Sequence, residues 1–269
     1  MSIDVKKKLT EEIVSFVAAE GSRCILKDLW QEPLVGFADV KHPYIRQLRD
    51  IVHPLHQMPE DVLAGATAVI TYFVPFARWL TQTNCEAGLA SSQWAQAYEE
   101  TNAMFGRLNE YIIERVHKMG YEAKTSPEAQ VFYRDQVISH WSFRHFAYAA
   151  GLGTFGLNNM LITDKGCAGR VNTVVTDLDV EPDAPKEVEA CLFKRNGTCG
   201  ACVGRCPSKA LTKTGFDRNK CFEQCLKNAA VHTGYGNSYA SGAGREAEDS
   251  GSEVCGKCLV NLPCTHKIP

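Results

Sequence analysis

Apolar side chains recur at helical spacing at the start of the chain, where Leu9, Ile13, Phe16 and Val17 share one face and Lys and Glu fill the other. This pattern predicts an amphipathic helix over residues 1–20 with Gly21 as its stop. Residues 66–74, ATAVITYFV, follow no such period. A run of β-branched and aromatic residues predicts a buried strand, ending at Pro75. Helical spacing returns from Ser92 to Met119 through Trp94, Tyr98, Phe105, Leu108, Ile112 and Val116, and Gly120 closes the helix. A further helix is predicted over 139–150, stopping at Gly151, and a second strand over VNTVVTDL, residues 171–178. There the texture changes. EPDAPKEVEA reads as a polar linker, so the chain divides near residue 185 into regions 1–185 and 186–269. Residues 233–252 are rich in Gly and Ser with almost no large apolar side chains. A mobile loop or lid is expected there, because so little surface can be buried.

A chain of 269 residues has room for one large domain or two smaller ones. The formal charge of −2 and the lack of a basic run argue against nucleic acid or an anionic membrane as the main partner. Polar residues interrupt the N-terminus where a signal peptide needs its apolar run, and no stretch approaches the roughly 20 apolar residues of a membrane span. The expectation is a cytoplasmic protein that uses no membrane.

Twelve cysteines change the picture. In a reducing compartment thiols rarely form disulfides, so a dense group reads as metal or cluster ligation. Cys24, Cys85 and Cys167 come early and are expected as buried small side chains. The others lie from Cys191 onward. Cys199, Cys202 and Cys206, followed by Pro207, give C-x2-C-x3-C-P, the close of a bacterial ferredoxin run. Cys191 precedes them at a stretched interval. Cys221 and Cys225 follow, then Cys255, Cys258 and Cys264. In two-cluster ferredoxins the last cysteine of a run serves the other cluster. Applied here, that rule assigns Cys191, Cys199, Cys202 and Cys264 to one 4Fe-4S cluster and Cys206, Cys221, Cys255 and Cys258 to a second. Cys225 is the spare, or replaces Cys221. Paired structural zinc sites are the plainer alternative, which the C-x2-C-x3-C-P close disfavours.

The segment RHFAYAAGLGTFGLNNMLIT, then VNTVVTDLDVEPD, then the cysteine runs, resembles the epoxyqueuosine reductases and the related reductive dehalogenases. VLAGATAVITYFVPF upstream is similar to a strand of the same family. The resemblance covers roughly residues 60–269. It implies an α+β protein: a nitroreductase-like α/β domain that binds cobalamin, then a small ferredoxin-like domain with two 4Fe-4S clusters. An external low-potential donor of ferredoxin or flavodoxin type would feed the clusters. The implied cofactor-binding positions are Arg144, Gly151, Gly153, Thr154, Gly156, Asn158 and Asn159. Glycines let a backbone approach a flat macrocycle, although they also mark an ordinary helix C-cap and turn.

Departures from the family pattern matter too. Its reductases place an acid seven residues before the shared Arg, where this chain has Val137, and Asp135 lies two residues away. Family members that act on tRNA often continue into helical repeats, whereas this sequence ends at Pro269. Epoxyqueuosine and tRNA are therefore not expected as substrates. Tyr133, Asp135 and His145 are candidate proton donors, with His140 and Trp141 close by; each of these rings also suits a packed structural role. Three functions stay open. One is a reductase acting through cobalamin on a small molecule. Another is a protein that passes electrons or a corrinoid to a partner protein. The third is a reductase carrying FMN.

Overall fold

The computed structural model describes residues 2–247 and 250–269, with the side chains of residues 2–4 left aside. Helix α1 (Ser2–Arg23) opens the chain and strand β1 (Leu34–Asp39) follows. Three short helices come next, α2 (Pro43–Arg46), α3 (Leu48–Ile51) and α4 (Pro59–Val62), then β2 (Ala68–Pro75), α5 (Arg78–Thr83) and the long α6 (Ser92–Lys118). After β3 (Ala123–Lys124) and α7 (Phe143–Ala149) lie β4 (Gly153–Phe155), β5 (Leu161–Thr163) and β6 (Gly169–Thr176). The cysteine-rich region holds α8 (Leu192–Asn196), α9 (Ala201–Arg205), α10 (Arg218–Ala229) and two single 3-10 turns at Thr233–Tyr235 and Lys257–Leu259.

The main sheet has the order β1-β2-β6-β3 and is antiparallel throughout. Every residue of β2 is buried, as its continuous apolar run requires of a strand covered on both faces. Its side chains alternate between two cores. Val69 and Phe73 meet Phe146 and Ala147 of α7, while Ile70, Tyr72 and Val74 meet Leu9 and Ile13 of α1 and Phe105, Leu108 and Ile112 of α6. The result is a sheet between two helical layers. β4 and β5 form a separate hairpin.

The mixed helix-and-sheet class agrees with the sequence reading, and element ends move by a few residues. α1 runs through Gly21, whose neighbourhood holds only Trp30 at 3.9 Å from where a Cβ would stand. The helix expected from 139 begins only at Phe143. Residues 139–142 are drawn into loop contacts, with Gln57 N–H donating to the His140 carbonyl (2.9 Å) and Ser142 N–H to His56 Nε2 (3.1 Å). A third core joins Cys24, Phe76, Trp94 and Ile162 to Ala190, Val254, Leu259 and Val260, side chains from both sides of residue 185.

Candidate functional site

Cys191, Cys199, Cys202 and Cys264, the first set grouped from sequence, line one solvent-facing hollow of about 370 Å³, walled by apolar groups such as Leu157, Ile162 and Phe193. Cys191 sits at the N-terminus of α8 and Cys202 within α9. Burial pushes the Cys202 thiol up to about 11, and Cys264, Cys191 and Cys199 act in the same direction.

The second set shows the same mutual influence. Burial pushes Cys255 up to about 11, with Cys221 and Cys206 adding to it. Cys258 rises further, through burial first and then through Cys255, Cys221, Cys206 and Cys202. Cys258 thus feels both sets. Cys221 and Cys225 stand one turn apart on α10, and their contact holds Cys221 below and Cys225 well above the usual thiol range. So many thiols in poorly hydrated surroundings resist ionisation together, and a bound cation removes that penalty. Among the described residues no three His, Cys, Asp or Glu side chains converge to hold a single metal ion.

Polar side chains from both regions clamp these loops. Asn84 Nδ2 donates to the Cys255 carbonyl (2.9 Å), Asn158 Nδ2 to that of Cys258 (2.7 Å) and Asn228 Nδ2 to that of Val254 (2.6 Å). Between Cys255 and Cys258, the Lys257 amine is buried and donates to the Asn84 and Glu86 carbonyls at 3.1 and 2.8 Å. Cys167 N–H donates to the Cys264 carbonyl (2.9 Å), and the two sulfurs lie 3.9 Å apart. Cys24 and Cys167 are buried and Cys85 is half-buried. Asn84, Asn228 and Lys257 escaped the sequence reading, because a buried polar clamp has no short motif. Cys167 was read only as packing.

The cofactor-binding candidates are engaged by the chain itself. Gly151 caps α7 at φ +69°, and a Cβ on it would stand 2.2 Å from the Ala184 carbonyl oxygen. One on Gly153 would meet the Ile162 carbonyl at 2.2 Å, and one on Gly156 the Asn158 side-chain oxygen at 2.6 Å. These glycines therefore admit the protein's own backbone and side chains. Thr154 Oγ1 donates to Glu189 (2.7 Å) and accepts from Ala190 N–H (2.9 Å). Arg144 donates to the Asn159 carbonyl (2.6 Å), and Asn159 sits at φ +58°. Near Phe143 a second hollow has a cavity volume of about 10 Å³, room for about one water. Thr154, Arg144 and these glycines thus each contact the chain itself.

The proton-donor candidates separate. Tyr133 donates to Glu128 (3.1 Å) and stacks on His140 at 4.2 Å. Asp135 lies in the tight turn between Tyr133 and Ile138, beside Val137 at φ +53°. His145 pairs with Ser142 (2.6 Å), and burial, with help from the Arg144 cation, pulls it down to about 4. Its neutral imidazole faces Tyr44 and Phe155, both of which also contact Tyr148. Trp141 is buried and donates to Thr173 (2.9 Å). The segment expected as a mobile loop is docked where it is described. Ala240 exchanges hydrogen bonds with Gln130 and Phe132 at 3.0 and 2.9 Å, and Ser238 and Ser252 both donate to Glu99. Residues 248 and 249 of that segment lie outside the described residues.

This is an α+β fold with a cysteine-rich end clamped onto a covered sheet, and its counterparts among known proteins are reductases. No family model matches the chain. It is 40% identical over 67 residues to tetrachloroethene reductive dehalogenase of Desulfitobacterium hafniense, a stretch covering 24% of this chain and 12% of that protein. It is 30% identical over 129 residues to epoxyqueuosine reductase of Leadbetterella byssophila, covering 47% and 41% respectively. The chain thus spans less than half the length of these curated relatives. In fold it is similar to an epoxyqueuosine reductase solved with a tRNA-Tyr stem loop, with a TM-score of 0.56 at 17% identity over 98% of this chain and 66% of that one. The enzyme from Streptococcus thermophilus gives 0.55 at 16% identity over 94% and 65%. In sequence the chain is similar to epoxyqueuosine reductases and reductive dehalogenases, and in fold to epoxyqueuosine reductases. No helix among the described residues is long and apolar enough to cross a membrane.

Proposed function

We propose that the protein is an iron–sulfur reductase in which two crossed cysteine sets hold two 4Fe-4S clusters that carry electrons from an external low-potential donor to a small molecule. One observation carries the reading. Cys202 lines a hollow with Cys191, Cys199 and Cys264, whereas Cys206, four residues on, does not line it and raises the thiols of Cys255 and Cys258, which supports crossed ligation. The donor set suits iron and sulfide, since thiolates are soft ligands. A mononuclear zinc would instead draw its four sulfurs to within about 4 Å of one another, given Zn–S bonds of about 2.3 Å. When bound, the clusters would supply one-electron transfer.

The chain's own groups do the rest. Asn84 and Asn158 hold the 255–258 turn by its carbonyls and Lys257 ties it to the carbonyls of Asn84 and Glu86, so that the Cys255 and Cys258 sulfurs are preset. Asn158 and Arg144 tie the glycine segment to that turn and to α7. Anaerobically prepared protein should contain about eight iron and eight sulfide per chain, with cluster signals after reduction. Zinc, or no metal, would overturn the reading. An electron carrier serving a second protein is the alternative; it predicts the same metal content but no turnover of any small acceptor.

A further inference from the structure

We infer that Lys257 and Arg205 are the fixed counter-charge of the second cysteine set, and that they raise the reduction potential of the cluster held there. The inference rests on the cluster reading proposed above. Lys257 opens the Lys257–Leu259 turn, between Cys255 and Cys258, and Arg205 ends α9 immediately before Cys206. Three of the four cysteines assigned to that set thus lie within two residues of one of these cations. The segment just after α5 receives both. Lys257 Nζ donates to the carbonyls of Asn84 (3.1 Å) and Glu86 (2.8 Å), and Arg205 Nη2 donates to the Cys85 carbonyl between them (2.6 Å). Three successive carbonyls therefore bring an ammonium and a guanidinium together, and Lys257 feels Arg205 as a like charge.

Such an arrangement is unfavourable by itself. Lys257 is 2% exposed, and Arg205 Nε is buried with no hydrogen-bond partner. Among the described residues neither cation reaches a carboxylate; carbonyls are their hydrogen-bond partners. The exposed Glu86 carboxylate acts on Lys257 only from beyond ion-pair distance. Buried charges are ordinarily paired, and carbonyls satisfy N–H groups without supplying a net opposite charge. A buried anion beside Cys206, Cys255 and Cys258 completes the site. A cluster held by four thiolates is such an anion, and it gains one more negative charge on reduction. Its attraction to the two cations grows with that charge and is little screened by salt at a buried position. The reduced form is therefore favoured. Leu157, Ile162 and Phe193 wall the hollow of the first set, and no Lys or Arg lines it. The two clusters accordingly stand in different fields.

The test is a redox titration of the full, anaerobically prepared chain, followed by electron paramagnetic resonance alongside iron and sulfide analysis. Lys257→Met should lower one of the two midpoints. At a fixed applied potential the ratio of reduced to oxidised cluster should fall at least about tenfold, which is 59 mV for one electron. Lys257→Arg, which keeps the charge, should recover most of that loss. Arg205→Gln should lower the same midpoint severalfold on the same scale, and the other midpoint should move less. Should Lys257→Met fail to retain iron, Arg205→Gln carries the comparison, because it gives up a single hydrogen bond to a carbonyl. Iron-loaded variants with the parent's midpoints would overturn the proposal and leave the clusters standing. A shift in Lys257→Arg as large as that in Lys257→Met would also overturn it, since packing and not charge would then be the cause. Parent protein without iron and sulfide would instead sink the cluster reading on which it rests.

Discussion

Gly256 is the residue whose replacement the structure judges most sharply. It sits at φ +68° between Cys255 and the Lys257–Leu259 turn, and a Cβ there would stand 2.2 to 2.3 Å from three atoms of the Trp94 indole. The left-handed backbone costs a side-chain-bearing residue about 1–2 kcal/mol. Trp94 cannot yield cheaply, since it is 2% exposed and packed edge-on against Phe76 with centroids 5.3 Å apart. Forcing a methyl into such packing costs a further 1–3 kcal/mol or so. Gly256→Ala should therefore destabilise by about 2–5 kcal/mol, a fall of roughly 5–15 °C in apparent Tm for a chain of this size. Iron occupancy should fall with it, because the strained residue adjoins a ligand. The assay is thermal unfolding by circular dichroism, repeated in the background of Trp94→Leu. That second change removes the steric part and leaves the backbone part, so the two substitutions should couple by about 1–3 kcal/mol. A Gly256→Ala protein within 2 °C of the parent, or two substitutions that simply add, would refute the reasoning.

Cys202→Ser and Cys206→Ser should each remove about half of the bound iron but leave different residual spectra, because the two residues serve different sets; identical spectra would contradict crossed ligation, and electron paramagnetic resonance distinguishes them. Asn158→Ala should cost about 1–3 kcal/mol and reduce iron retention under chelator challenge, since the Cys258 carbonyl loses its 2.7 Å donor. Burial pulls His56 down to about 4 from its ordinary 6.5. Its neutral form is the one the fold accepts, so this contribution is complete above pH 6.5 and is lost as pH falls from 6.5 towards 4. The loss amounts to about 3 kcal/mol. His56→Gln should flatten the urea-midpoint profile across that window relative to the parent, and an unchanged profile would count against the assignment.

The layered core was readable from sequence because its signal is local. β2 shows as an apolar run and α6 as a helical period, with Gly120 at φ +84° closing the helix as anticipated. Cysteine spacing is a property of the chain itself, and four of the thiols it singles out, Cys191, Cys199, Cys202 and Cys264, line one hollow. The glycine segment was legible as a motif and opaque as chemistry: Gly153 and Gly156 leave space, but only coordinates reveal that Ile162 and Asn158 fill it. Residues 233–252 were opaque for a related reason. Their composition offers little apolar burial, and they are held instead by hydrogen bonds to Glu99, Gln130 and Arg170, groups more than sixty residues away in sequence.

These facts share a physical origin. A cysteine-rich segment has few large apolar side chains, so it cannot position its thiols by hydrophobic packing of its own. In this protein the first region supplies what is missing. Trp94 and Ile162 lend apolar contact, and Asn84 and Asn158 lend hydrogen bonds to backbone carbonyls flanking the sulfurs. The residues that hold the cysteine-bearing loops therefore lie on α6, at the end of α5 and in the β4–β5 hairpin. A change that loosens these clamps should displace the thiols even though it touches no cysteine.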